Sequence, residues 1–262
     1  MYPELINLGA FGLKTYGACM AAGFLVCWTL IEKLSGRKDL SNLLMSLMVA
    51  GVVGSRTAYV IEHWTAEFAA EPLRVIRGDQ GGLMFYGGLI LAVAVFFAWC
   101  YLRKEKTLEL AGLLATVIPL GHAFGRIGCF FYGCCYGRLS DSVLAVKFPR
   151  CSPAWYEQYQ AGLIKSSAAE SLPVLPTQLM EAAALLVLFA ALFMLYRRYR
   201  GRAGLVTGAY FIGYAVIRFA LEYLRGDPRA AVGPFSISQT ISLIMLFLGI
   251  VFIRLFEKRN CR

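Results

Sequence analysis

The stretch "AGLLATVIPLGHAFGRIGCFFYGCCYG", residues 111–137, decides the class of this protein. Its first part is apolar and long enough, at roughly 20 residues, to cross a bilayer as a helix. Yet it carries His122 and Arg126 and then runs into Cys129, Gly133, Cys134, Cys135 and Gly137. Charge at membrane depth is costly, so an arginine in such a segment points to a site rather than to packing.

The same apolar character recurs along the chain. Spans are expected near residues 10–31, 42–62, 83–102, 108–130, 177–196, 204–224 and 236–256. The 262 residues are 58% hydrophobic and 16% charged, with a mean hydropathy of +0.61. Soluble domains run at about 45–50% apolar and about 25% charged. The expected fold is therefore an all-α integral membrane protein of seven transmembrane helices, a single membrane domain over 1–262. The opening "MYPELINLG" has no basic n-region, so the first span is expected to be retained rather than cleaved.

Charge gives the orientation. Lys33, Arg37 and Lys38 follow the first span; Arg103, Lys104 and Lys106 follow the third. Arg197, Arg198, Arg200 and Arg202 follow the fifth, and Arg254, Lys258, Arg259 and Arg262 close the chain. These alternate ends face the cytoplasm by the positive-inside rule, which places the N-terminus outside and the C-terminus inside. The formal net charge of +10 is explained this way without nucleic acid. The segment 131–176 is too polar to span and too long for a simple connection, so it is expected to form a small periplasmic head.

Three spans carry arginine: Arg56 in "GVVGSRTAY", Arg126 in "PLGHAFGRIGC" and Arg218 in "YAVIRFALEY". Tyr214, Arg218 and Glu222 stand at i, i+4, i+8 on one helix stripe; His122, Arg126 and Cys129 stand at i, i+4, i+7. With the N-terminus outside, all three arginines fall in the outer halves of their helices. An anionic phospholipid phosphate is the guest such guanidiniums suit, because arginine binds it bidentately. The alternatives are a structural ion pair between Arg218 and Glu222 and a snorkelling Arg56. "GDQGGLMFYGGLI" adds Gly78, Gly81, Gly82, Gly87 and Gly88 at the third span, where backbone can approach a headgroup or a neighbouring helix.

Taken together, these motifs resemble the prolipoprotein diacylglyceryl transferase family, from "TYG" (15–17) to "FSISQ" (235–239) and in order. "GRIGCFFYGCCYG" is similar in register to the family signature Gly-Arg-Ile-Gly-Asn-Phe-x-Asn-Gly-Glu-x-x-Gly. "GGLMFYGGLI" resembles Gly-Gly-Met-Ser-Phe-His-Gly-Gly-Leu, and "GSRTAYV" the family's glycine-arginine stretch. "LPTQLMEA", with Gln178 and Glu181, resembles Pro-Ser-Gln-Leu-Tyr-Glu. "YAVIRFALEYLRGD" resembles Tyr-x-x-x-Arg-Phe-x-x-Glu-x-x-Arg.

The resemblance implies a bacterial inner-membrane enzyme that needs no cofactor. It moves the diacylglyceryl group of phosphatidylglycerol to the lipobox cysteine of a prolipoprotein, as a thioether, with glycerol phosphate leaving. It implies Arg126, Arg218 and Glu222 as catalytic residues, with Tyr86 at the catalytic histidine's place. Tyr16, Arg56, Gly87, Gly88, Cys129, Gly137, Gln178, Glu181 and Tyr214 are implied in substrate binding. The implied partners are the phospholipid donor, the prolipoprotein signal peptide and the bilayer.

Three departures from the pattern matter: Tyr86 replaces the histidine, Cys129 the first asparagine of the signature and Cys134 the glutamate. An ordinary tyrosine phenol ionises near pH 10, which makes it a poor base and a serviceable hydrogen-bond donor. The departures leave a second reading open, a related transferase with a non-lipoprotein acceptor. A third is a non-catalytic anionic-lipid-binding protein. For Cys129, Cys134, Cys135 and Cys151 four readings stay open. They are disulfides of the outer face, inert packing, a reactive thiol beside Arg126, or, for Cys129, Cys134 and Cys135, a metal site with His122 that lacks clean Cys-x-x-Cys pairs. His122 itself reads as a packing histidine or a substitute base.

Overall fold

The computed structural model describes residues 4–7, 12–69, 71–76, 82–199, 201–227 and 231–257. Gly78 and Gly81 lie outside them, as do Arg200, Lys258, Arg259 and Arg262 of the basic ends. Seven helices among the described residues are long and apolar enough to span a membrane. They are α1 (Thr15–Ser35), α2 (Leu40–Glu62), α3 (Phe85–Arg103), α4 (Thr107–Tyr132), α6 (Thr177–Arg198), α7 (Ala203–Glu222) and α8 (Ile237–Glu257). The short α5 (Pro153–Gln160) comes between α4 and α6.

The first helix starts at Thr15, not near residue 10 as hydropathy suggested. Strands β1 (Glu4–Asn7) and β2 (Gly12–Lys14) pair antiparallel just before it, so Gly12–Lys14 spends its backbone bonds on a ladder. A second small ladder joins β3 (Ala231–Val232) to β4 (Phe235–Ser236) ahead of α8.

The chain forms two compact units, 1–31 with 111–262, and 32–110. Small residues let helices meet in both, as expected where lipid removes the hydrophobic drive for helix association. In the smaller unit α2 lies on α3. A Cβ on Gly54 would come within 2.5 Å of the Gly87 carbonyl, and one on Gly88 within 2.5 Å of the Gly51 carbonyl. In the larger unit a Cβ on Gly208 or Gly249 would come within 2.8 Å of the other's carbonyl, bringing α7 and α8 close, and Gly23 admits Phe124 of α4 against α1.

Residues 131–176 have a core of their own. Phe148, 0% exposed, packs with Tyr136, Ala154 and Val174, and with Phe130 of α4. Polar side chains close its irregular backbone: Ser171 Oγ accepts from the Phe148 amide, and Gln158 Oε1 accepts from the Leu172 amide. Ser152 caps α5 by accepting from Trp155 N, and the Trp155 indole donates to the Ala168 carbonyl.

At one end of the smaller unit Arg37 clamps the connections of α2 and α3. Its guanidinium donates to Asp39 Oδ1 at 3.1 Å and Oδ2 at 2.5 Å, and to Glu105 Oε2 at 2.9 Å and Glu105 Oε1. These bonds hold the Asp39 carboxyl below 3.8 and the Glu105 carboxyl below 4.5, their usual values. Acids depressed on folding stabilise above their unfolded pKa and lose that contribution as pH falls through the folded one. The melting temperature is thus expected to be flat from pH 8 to 5 with respect to this clamp and to fall below about pH 4.5. An Arg37→Ala protein should show a smaller acid-dependent fall. An equal fall in the two proteins would exclude the clamp as its source.

Candidate active site

The site is built on α4, α6 and α7 of the larger unit. Arg126 faces Glu181 of α6, with Nη2 2.9 Å from Oε1. The approach is an ion pair whose angle falls outside hydrogen-bond geometry, and Arg126 Nε is buried with no hydrogen-bond partner among the described residues. Glu181 is 1% exposed and stands in the interior opposite a guanidinium that is itself largely covered. His122, one turn before Arg126, approaches the same Glu181 oxygen at 3.8 Å, and its ring lies 5.4 Å from that of Tyr214 on α7. The His122–Tyr214 contact sets α7 beside α4, with Arg218 one turn beyond Tyr214 on α7.

On α7, Arg218 Nη2 pairs with Glu222 Oε2 at 2.9 Å and donates to Ser238 Oγ of α8 at 2.9 Å. The i, i+4 spacing made the first contact legible in sequence. The second links the helix to "FSISQ", 20 residues on. Tyr214 stacks on Tyr210 one turn earlier and packs beside Ala123, Ala182 and Leu185.

The turn after α4 explains the glycines of the opening stretch. Gly133 takes φ +83° and ends the helix; its amide and that of Cys134 both donate to the Cys129 carbonyl. This is the left-handed cap that glycine favours. Gly137 then sits where three backbone runs meet. A Cβ there would fall 2.8 Å from the carbonyls of both Leu175 and Leu224. The Gly137 amide donates to Leu175 O, and the Arg138 amide to Leu224 O. Any side chain at 137 would pry apart the segments that follow α4 and α7, which carry the two arginines, and the one that leads into α6.

Gln178, 1% exposed, donates from Nε2 to the Cys134 carbonyl at 2.8 Å, and Thr177 Oγ1 donates to the Cys135 carbonyl at 2.9 Å. The first turn of α6 thereby fixes the cysteine turn. Tyr16, on α1, is partly exposed beside Gly128 of α4. Arg225 pairs with Asp227, donating from Nε to Oδ1 and from Nη2 to Oδ2, both at 2.7 Å. The Cys134 thiol donates to the Cys129 carbonyl at 3.9 Å. Cys129, Cys134, Cys135 and Cys151 are free thiols.

Arg56, Tyr86, Gly87 and Gly88 belong to the smaller unit. Arg56 donates to the carbonyls of Arg74 (2.9 Å), Val75 (3.1 Å) and Gly82 (3.2 Å), clipping the connection between α2 and α3 to α2. Its guanidinium also lies over the Phe68 ring at 5.4 Å. Tyr86 stands in the first turn of α3 and is 49% exposed. Gly87 and Gly88 carry the close approach of α3 to α2.

Ser238, Arg225 and the use of Glu181 as the partner of Arg126 escaped the sequence reading. Glu181 was legible as a motif position, but its partner lies 55 residues upstream on another helix. Arg225 and Asp227 had a signal, since "LRGD" continues the arginine-bearing motif of α7.

A sequence model described as prolipoprotein diacylglyceryl transferase matches residues 3–255. A phosphatidylglycerol–prolipoprotein diacylglyceryl transferase 2 of Clostridium perfringens is 32% identical over 250 residues, covering 92% of this chain and 91% of that protein. The phosphatidylglycerol–prolipoprotein diacylglyceryl transferase of Clostridium tetani is 30% identical, covering 95% and 96%. That of Rhodospirillum rubrum is 31% identical, covering 95% and 90%.

Proposed function

Because the chain belongs to the prolipoprotein diacylglyceryl transferase family, we propose that Arg126 and Arg218 bind the phosphate of the donor lipid and stabilise it as it leaves. The enzyme is a multi-pass protein of the bacterial inner membrane that transfers diacylglyceryl from phosphatidylglycerol to prolipoprotein. The acceptor sulfur forms a C–S bond to the glyceryl carbon as its C–O bond to phosphate breaks. The thiol proton leaves to a base, and the phosphodiester monoanion departs as a glycerol phosphate monoester of higher charge.

Guanidiniums that hold the phosphate more tightly as it gains charge lower the barrier, because only interactions stronger in the transition state raise kcat. The observation that carries this reading is the Arg126 guanidinium, held by one buried carboxylate through Nη2 while its Nε stays buried and unpartnered. Glu181 and Glu222 act as positioning residues that fix the two guanidiniums before the lipid arrives. Gln178, Thr177 and Gly137 hold the backbone between them. Tyr16 and Tyr214 shape the walls of the lipid site, and Cys129 borders it.

At the start of α3, Tyr86 is the phenol that takes the place of the family histidine, with Gly87 and Gly88 beside it, and Arg56 keeps the chain before α3 in place. Lys33, Arg103, Arg197 and Arg254 stand in the last turns of α1, α3, α6 and α8. That pattern supports a cytoplasmic face at these ends, and residues 131–176 as a periplasmic head under which the signal peptide approaches.

The test is purified protein with phosphatidylglycerol vesicles and a synthetic lipobox peptide, read by intact mass. A gain of one diacylglyceryl group on the peptide thiol is expected; no gain from folded, lipid-binding protein overturns the reading. In the same assay Tyr86→Phe should lower kcat about tenfold, the worth of one hydrogen bond of about 1.4 kcal/mol. An unchanged kcat would remove Tyr86 from the mechanism.

A further inference from the structure

Three sulfurs converge where the family signature carries asparagine and glutamate. Cys129 lies in the last turn of α4, and Cys134 and Cys135 follow the Gly133 cap. Their Sγ atoms all lie within 4.8 Å of one another, and all three residues are half-buried. Their backbone is held independently of any sulfur contact. The Cys129 carbonyl accepts from the amides of Gly133 and Cys134, and the carbonyls of Cys134 and Cys135 accept from Gln178 and Thr177. Cys135 itself is kept at φ +62°, a conformation that a non-glycine residue holds only when its surroundings impose it.

From this arrangement the geometry points to a binding site for one soft, thiophilic metal ion of the Cu(I) class, ligated by Cys129, Cys134 and Cys135. Thiolates select soft ions over Mg²⁺, Ca²⁺ and Mn²⁺, which take oxygen. A trigonal ion with metal–sulfur bonds of about 2.3 Å sets its sulfurs roughly 4.0 Å apart. The present separations therefore need to close by less than about 1 Å, within reach of side-chain rotation. Coordination number favours Cu(I): three sulfurs complete a trigonal shell, whereas a structural Zn²⁺ site takes four ligands. The three thiol protons go to solvent, and no electron is transferred. His122 is not a ligand in this scheme, since its ring is directed to Glu181 and Tyr214.

The test loads the full-length detergent-purified protein with Cu(I) under anaerobic, reducing conditions against a chromophoric Cu(I) chelator. One equivalent should be retained by the wild type and by Cys151→Ser. Retention should fall at least tenfold in Cys134→Ser and in Cys135→Ser proteins that elute as folded species. X-ray absorption on the loaded wild type, which needs no variant, should give three sulfur neighbours at about 2.3 Å. Sub-stoichiometric binding, nitrogen or oxygen neighbours, or retention indifferent to both substitutions would overturn the site. So would a wild-type mass 2 Da low under these reducing conditions with two thiols missing, which would mean that the sulfurs form a disulfide instead.

Discussion

Arg126→Ala is expected to lower kcat for diacylglyceryl transfer to a lipobox peptide by about 10²–10³, the loss that follows removal of one preorganised donor to a developing anion. The guanidinium is fixed by Glu181 before the lipid binds, so no reorganisation is needed when charge develops on the leaving phosphate. Arg126→Lys keeps the charge and loses the planar fork, so its activity should fall between the two. The split between kinetic constants is decisive. A lowered kcat with little change in KM for phosphatidylglycerol marks an interaction made mainly in the transition state. A raised KM with unchanged kcat would reduce Arg126 to a ground-state binder, and full activity in a folded Arg126→Ala protein would remove it from the site.

Glu181→Ala is expected to be the most destabilising single change in this region, by about 3–5 kcal/mol, because it leaves the Arg126 charge buried without its partner. At roughly 2–4 °C per kcal/mol for a chain of this size, the melting temperature should drop by about 10 °C. The informative comparison is the double replacement Arg126→Met with Glu181→Leu. Two apolar side chains of similar volume remove both charges together, and such exchanges are often neutral or stabilising. The double variant should therefore recover most of the lost melting temperature while remaining inactive. Recovery of stability without activity separates the carboxylate's part in folding from the guanidinium's part in chemistry. A double variant as unstable as Glu181→Ala would mean that the pair is not what Glu181 contributes.

Much of the molecule was open to a reading of the chain alone. Seven spans follow from runs of apolar residues, which need no knowledge of neighbours because the bilayer is their solvent. Arg126, Arg218 and Glu222 stood out for the same reason: in a segment priced against hydrocarbon, a charge is conspicuous wherever it sits. The Arg218–Glu222 contact followed from helical spacing within one element.

What tertiary structure decided is every relation between elements far apart in sequence. Arg126 finds its carboxylate on α6, and Arg218 its hydroxyl on α8. Arg56, alike in sequence to the other two, spends its donors on the carbonyls of residues 74, 75 and 82. Helical hydropathy also could not show that residues 12–14 pair with a preceding strand, since that bond is to another segment. The opening stretch divides the same way. Its arginine was legible from local polarity, whereas the meeting of Cys129, Cys134 and Cys135 depends on left-handed backbone at Gly133 and Cys135 and on two side chains of α6. Hydropathy and helical period are properties of one segment in a uniform solvent; a partner, a crossing or a shared ligand is a property of two, and only packing brings the two together.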